Sequence, residues 1–342
     1  MKDVMIIGAG LAGLICAQQL RHAGFKVTIV EKSAGVGGRM ATRRLQGTWV
    51  DHGAQYITVR NDGFERFINK LEEKGIVQKW TRNFHYLTET GLRPPTADEM
   101  YPRYCCPAGM TAIPKYLANA HLASDQKIIF NTRIVAVNCD AGKWQLITDQ
   151  RELLEATAVV ATMPAPQFLP LFESVLAPAP SFQQAVRSVK FSPSITIMAG
   201  YAAGNSVPPE WQAIKCLSDP ILSWIGLDSS KHPDKATQPV FVFQSTADFA
   251  KHSMDEPDLE LAGKPILNRA GKLLAKWLSS PEWWQVHRWR YAIAEEVLGA
   301  ACLSTSIPLP LVCAGDWCAG SNVEAAYQSG LAASESLVEL LK

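Results

Sequence analysis

Gly8, Gly10 and Gly13 stand between the apolar run Val4-Met5-Ile6-Ile7 and a helical stretch, and their spacing dictates the local fold. The first glycine permits a tight turn. The second lets a pyrophosphate approach the backbone, and the third lets helix and strand pack in contact. The helix is expected from about Leu11 to Ala23, with Gly24 as a stop, and "KVTIV" from Lys26 to Val30 is the next parallel strand. Glu31 closes that strand 18 positions after Gly13, where a carboxylate can accept both hydroxyls of a ribose. Strand, turn, helix, strand and acid in this order describe a βαβ unit for a dinucleotide, its phosphates facing the helix N-terminus.

FAD and NAD both fit such a unit. Residues 35–39, "GVGGR", supply a second glycine-rich turn just after Glu31, and Arg39 there is able to neutralise a pyrophosphate. NAD-dependent dehydrogenases do not usually carry this block, which favours FAD.

A chain of 342 residues exceeds what one core usually accommodates, so two domains, or one domain with large insertions, are expected. The dinucleotide signals lie at both ends of the chain, which points to a second domain inserted into the first. Helical stripes are read at "GFERFINKLEEK" (63–74) and "GMTAIPKYLAN" (109–119). Strands are read in "KIIFNTRIVAVNCD", "KWQLITD", "ATAVVA", "SITIMAGY" and "PVFVFQST", and a long helix in "LAGKPILNRAGKLLAKWL".

Thirty-three basic against 32 acidic residues leave a net charge of +1, which gives no support for a nucleic-acid partner or an acidic membrane surface. No apolar stretch reaches the ~18 residues needed to span a bilayer, and the N-terminal glycines argue against a signal peptide. Eight cysteines with no CxxC pair read as reduced thiols, no metal site is expected, and the chain reads as cytoplasmic.

"GAGLAGL", "EKSAGVGGRM" and the C-terminal "GDW" resemble the flavin-dependent amine oxidase superfamily. "DHGAQYITVR", "PAGMTAIPKYL", "HRWRYA" and "GDWCAGSNVEAAYQSG" are similar, more narrowly, to renalase and its bacterial relatives, over nearly the whole chain. The resemblance implies an α/β fold: a glutathione-reductase-like, Rossmann-type FAD domain with an inserted α+β substrate domain of monoamine-oxidase-like topology. Its FAD domain would comprise residues 1–60, 105–165 and 290–342, and its substrate domain 61–104 and 166–289.

The same resemblance implies the cofactor contacts. Glu31 would bind the adenosine ribose, and Arg39 with its glycines the pyrophosphate. Backbone at Ile134 or Val135 would meet the adenine, and Ala54, Gln55 and Tyr56 would lie along the ribityl–isoalloxazine region. Asp316 would take a ribityl hydroxyl, and backbone at Val323, Glu324 and Ala325 would face the pyrimidine edge. A helix N-terminus there would stabilise the anion of a reduced flavin. Ala12, Lys32, Gly38, Met40, Thr162 and Gly315 complete the expected contacts, and Cys318 reads as a packing residue beside a non-covalent FAD.

The implied reaction is oxidation of misplaced-hydride isomers of NAD(P)H, the 2- and 6-dihydro forms, with hydride passing to flavin N5 and then two electrons to O2. Such chemistry needs stacking and orientation more than acid–base groups. Relatives place an Asn and a His near the flavin face where this chain has Asp228 and Gln244, so these two and Tyr56 are the candidate substrate-positioning residues. Trp224, Trp289 and Tyr291 are expected to wall the pocket, and Arg288 or Arg290 to read phosphate. Two alternatives stand beside this: an amine oxidase or desaturase acting on an apolar substrate, for which Lys190 and Lys251 are the lysines in view, and an FAD-binding protein without turnover.

Overall fold

The computed structural model describes residues 2–122 and 126–342. A six-stranded sheet is assembled from distant parts of the chain, in the order Leu303–Thr305, Leu311–Cys313, Ala158–Ala161, Asp3–Ile7, Lys26–Val30, Lys127–Ile129. All neighbours are parallel except the antiparallel pair at the Leu303–Thr305 edge. Its central strands are uninterrupted apolar runs because both faces are covered. Val4 and Ile6 point into one core, Met5 and Ile7 into the other, as a two-residue period requires.

Helices Leu11–His22, Ala112–Leu122 and Val323–Leu340 cover the first face through Leu14, Ile15, Ile113, Leu117, Ala333 and Leu337. The opposite face packs against a meander of Ile134–Asp140, Lys143–Thr148 and Leu153–Ala156, with Trp144 fully buried and donating its indole N–H to Pro310 O at 3.0 Å. The turn between the first two of these strands places both Ala141 and Gly142 in left-handed backbone, which costs the glycine nothing and the alanine about 1–2 kcal/mol.

A second, seven-stranded sheet runs in the order Trp283–Glu296, Lys190–Gly200, Val240–Ser245, Leu222–Leu227, Ala213–Cys216, His85–Thr88, Gly91–Arg93. It is antiparallel apart from the pair Ala213–Cys216 with His85–Thr88. Ile195, Ile197, Phe241 and Phe243 face helix Leu259–Leu273 through Ala262, Ile266 and Ala270. The alternate residues face the other way, toward residues 50–56, and build the candidate site.

The two sheets do not divide at the expected boundaries. Helix Asp62–Glu73 puts Phe64, Ile68 and Leu71 into the core of the first sheet, and helices Ala165–Phe172 and Pro180–Arg187 pack on that sheet's other face. Strand Trp283–Glu296 stays in the second sheet as far as Glu296, beyond residue 289, and carries Ala294 into the first sheet's core. Amphipathic helices reveal that they have an apolar face but not which sheet covers it. Among the described residues no helix is long and apolar enough to cross a membrane.

The C-terminal helix meets the N-terminal one at Gly330, where an added Cβ would lie 2.5 Å from Ala12 O and 2.9 Å from Ile15 Cβ. Gly330→Val should therefore force these helices apart and cost about 1–3 kcal/mol in denaturant unfolding. An unchanged midpoint would contradict this packing.

Candidate functional site

The glycine turn is built as close packing demands. Gly8 has φ +110°, and a Cβ on it would sit 2.6 Å from Thr162 Oγ1, whose hydroxyl donates to Ile7 O at 2.9 Å. A Cβ on Gly13 would lie 2.2 Å from Gly8 O, so helix and turn are in contact there. Thr162, expected against the cofactor, thus acts as a strut beneath the turn. Gly10 differs: a Cβ there would meet nothing within 4 Å, and this residue caps helix Leu11–His22 with no side chain. The helix's first N–H groups have no intrahelical acceptor and open onto that space. Ala12 is buried in the helix.

Glu31 accepts the Ala9 N–H on Oε2 and the Ser33 N–H on Oε1, each at 2.8 Å, leaving one lone pair on each oxygen. Lys32 beside it is exposed. Val135 sits at the irregularity between Ile134 and Ala136, so it is exposed and outside the ladder, whereas Ile134 is buried.

The second glycine turn is clipped to the first: Gly37, at φ +124°, donates its N–H to Ala9 O at 2.9 Å, and the Cβ position of Gly38 lies 3.7 Å from Gly10 Cα. Arg39 then reaches across to the other end of the chain. Its Nη1 donates to Asp316 Oδ2 at 2.9 Å and to Ala292 O at 3.3 Å, and its Nη2 donates to Asp316 Oδ1. Gly315 is fixed by a 2.9 Å bond from its N–H to Ser329 Oγ. Met40 is buried in the core.

A third segment lies on this frame. Ala54 donates its N–H to Arg39 O at 2.8 Å, and a Cβ at Gly53 would be only 2.0 Å from the same oxygen. Gln55 is turned inward, donating to Asp51 O and to Gly53 O. At the start of helix Val323–Leu340, the Asn322 side chain accepts the Ala325 N–H at 2.8 Å, which removes that donor from the expected set. Glu324 is buried and accepts the Arg60 N–H at 3.0 Å, leaving the first-turn N–H groups of Val323 and Glu324 as the helix's outward donors.

The ladder of the second sheet aligns the substrate-side residues. Trp224 opposes Gln244, Gln244 opposes Thr196, and Thr196 opposes His287, so the four share one face in a single row. Gln244 ties the row to the third segment by donating to Gly53 O at 2.9 Å. Tyr56 packs against Trp224 (centroids 5.5 Å apart) and edge-on to Phe84 (4.8 Å). Trp289 donates its indole N–H to His52 O at 2.8 Å, stacks on the His52 ring at 5.1 Å and meets His287 edge-on at 4.3 Å. Tyr291 stands apart from this row, against Phe191 near Arg39.

Both imidazoles are held neutral at physiological pH. Burial, then His287 and Arg43, lower His52 to about 3, and burial, then Arg43, lower His287 to about 4. From Trp224 to His287 the row is therefore made of aromatic and neutral hydrogen-bonding side chains, with Trp224 and Thr196 buried and Gln244 and His287 partly exposed. Cations flank the row at both ends: Arg43 Nη2 lies 3.1 Å from His287 Nδ1, and Lys215 lies beyond Trp224, over the Phe84 ring.

Asp228 does not join the row. It is completely buried and bonded through Oδ1 to Lys231 Nζ at 2.7 Å, while its Oδ2 lies 3.4 Å from the Asp51 N–H. Lys231, also completely buried, reaches Asp51 Oδ2 at 3.2 Å and Gln55 Oε1 at 3.4 Å. Burial raises the Asp228 pKa against the pull of Lys231. For Lys231 burial alone would lower the pKa, but the Asp228 and Asp51 carboxylates raise it. Asp51 and Lys231 were missed from sequence, although Asp228 and Lys231 are three residues apart in "DSSK", a spacing at which opposite charges pair on one turn. The other charged candidates are committed to the surface or to loops. Arg288 holds Met254 O and Glu256 O, Arg290 pairs with Asp255, Lys190 with Glu296 and Lys251 with Asp248. Among the described residues no cluster of His, Cys, Asp and Glu is placed to hold a metal.

Residues 6–71 match the NAD(P)-binding Rossmann-like domain family, and residues 77–338 match the family of flavin containing amine oxidoreductases. The chain is similar to mouse renalase, 24% identical over 100% of this chain and 99% of that protein. An L-amino acid dehydrogenase of Synechocystis sp. is 36% identical, but over only 20% of this chain and 15% of its own. Cyclohexylamine oxidase from Brevibacterium oxydans shares the fold, with a TM-score of 0.73 at 13% identity over 99% of each chain. A solved structure from Exiguobacterium sp. 255-15 gives 0.80 at 14% identity, over 100% of this chain and 99% of that one.

Replacing Lys231 with methionine leaves two buried carboxylates without their cation. Lys231→Met should destabilise the fold by about 3–5 kcal/mol in urea unfolding, and adding Asp228→Asn should recover part of the loss. A loss below ~1 kcal/mol would show that the cluster is not a buried ion pair.

Proposed function

The chain belongs to the flavin containing amine oxidoreductases, and on that premise we propose that it oxidises a dihydronicotinamide nucleotide of the 2- or 6-dihydro type with non-covalent FAD. The FAD would supply a two-electron hydride acceptor that O2 restores, giving NAD(P)+ and hydrogen peroxide.

The residues fit that cofactor. Gly10 leaves an open cradle at an uncapped helix N-terminus, suited to a pyrophosphate. Glu31 keeps a lone pair on each oxygen for ribose hydroxyls, and Val135 offers backbone outside its ladder to the adenine. Arg39 and Asp316 pair with each other between the two glycine turns and the C-terminal helix, and a pyrophosphate and a ribityl hydroxyl there would use the donors and lone pairs that this pair leaves over. Val323 and Glu324 would present helix N–H groups to the far end of the flavin. Cys318 is buried and its thiol is pushed up to about 12 by burial, which supports a non-covalent cofactor.

The observation that carries the substrate reading is the neutral row Trp224–Gln244–Thr196–His287 set against Gly53. A hydride leaving a dihydropyridine yields an aromatic cation directly, so no side chain has to abstract a proton. The row can stack and orient such a ring, with Tyr56 and Trp289 at its sides, and the neutral imidazoles add no charge that would repel the cationic product. Lys190 and Lys251, the lysines considered for amine oxidation, are exposed and paired at the surface, which leaves that alternative without support from either.

Anaerobic mixing with 2- or 6-dihydroNAD(P) should bleach the flavin absorbance within seconds, while ordinary NADH bleaches it far more slowly. Bleaching by a small amine and by neither isomer would overturn the proposal.

A further inference from the structure

Arg43 differs from four other cations around the site. Arg39 is bonded to Asp316, Arg290 to Asp255 and Lys231 to two carboxylates, and Arg288 holds two carbonyls. Among the described residues, Arg43 has no carboxylate within ion-pair distance. Its acceptors are neutral: Gln285 Oε1 lies 3.4 Å from Nη1 and His287 Nδ1 lies 3.1 Å from Nη2. Only two of its five N–H donors are served by these bonds.

Arg43 is half-buried, with its bond to His287 partly buried and its bond to Gln285 at the exposed side, while Arg44, the next residue of the strand, points to the opposite face. A partly desolvated cation with no counter-charge is costly, and an anion would offset that cost. The position is one side chain away from the substrate row. His287 ends the row, its ring touches Trp289, and the Trp289 Cζ2 atom lies 3.3 Å from the Cβ position of Gly53.

The geometry points to Arg43, supported by His287 and Gln285, as an anion subsite that takes a phosphate or diphosphate group of the substrate. The inference rests on the dihydronicotinamide nucleotide reading, since a nucleotide carries that phosphate and a small apolar amine does not. Arg43 supplies the charge and a fork able to grip two phosphate oxygens, while the neutral His287 and Gln285 hold the fork in place. Phosphate recognition at this distance from the ring would position the nucleotide without taking part in hydride transfer, so its loss should appear in binding.

The test uses the FAD-loaded protein and calorimetric titration with nicotinamide mononucleotide, nicotinamide riboside and inorganic pyrophosphate. The wild type should bind the mononucleotide roughly tenfold or more tightly than the riboside. Arg43→Gln should abolish that difference, weaken pyrophosphate binding and leave the riboside unchanged. Arg43→Lys, which keeps the charge without the fork, should fall between them and serves if the first variant does not fold. With the dihydro substrate, Arg43→Gln should raise KM and leave kcat in place.

Equal binding of mononucleotide and pyrophosphate by wild type and both variants would overturn the subsite. If the isomers reduce wild type and Arg43→Gln with the same KM, the subsite falls while the substrate reading stands. If pyrophosphate binds in an Arg43-dependent way but no isomer reduces the flavin, the subsite stands and the substrate reading falls.

Discussion

One buried ammonium between two buried carboxylates sets the geometry on which the rest depends. Lys231, Asp228 and Asp51 have essentially no solvent exposure, so each charge must find its compensation inside the protein. Asp51 finds it in the Thr42 hydroxyl at 2.6 Å, the Met110 N–H at 2.8 Å and Lys231 at 3.2 Å. The cluster therefore joins the strand before the "HGAQY" segment, the loop before helix Ala112–Leu122 and the turn at Asp228–Lys231. Gly53 is held between this anchor and Arg39, and its carbonyl oxygen is delivered to Gln244. Stability and site geometry thus share the same charges.

The second constraint is topological. The first sheet needs strands from the beginning, middle and end of the chain, and the Arg39–Asp316 pair fastens the beginning to the end just where a dinucleotide would lie. Such a long ligand needs an ADP-binding end and a redox end. In the proposed reading the Gly8–Gly13 turn would serve the former, and Asp316 with the start of helix Val323–Leu340 would face the latter. On that reading, the return of the chain to the first sheet after the second would bring both ends of the ligand into one groove.

The sequence made the first sheet legible because its signals are local. A turn glycine, a buried apolar run and an acid at a strand end each act within a few residues, and strands Asp3–Ile7 and Lys26–Val30 lie where these place them. The "DAG" hairpin was readable for the same reason. What escaped is what depends on tertiary partners. Asp228 looked like a substrate contact, because nothing local reveals that Lys231 and Asp51 meet it in a dry interior. Arg288 and Arg290 looked like phosphate readers, but loop carbonyls and Asp255 already hold them. Arg43 escaped notice because its neighbours Gln285 and His287 come from a strand more than two hundred residues away. The row from Trp224 to His287 was legible only in fragments, since a sheet register brings its four members together.

The proposed reaction is a direct hydride transfer beside a row of neutral side chains, none of which has to abstract a proton. Isotope effects on anaerobic flavin reduction test this most directly. Deuterium at the transferred position of the dihydronicotinamide should slow bleaching by a primary isotope effect, while D2O as solvent should leave the rate unchanged. A large solvent effect with no effect of substrate deuteration would mean that a side chain abstracts a proton in the slow step, and would contradict the account.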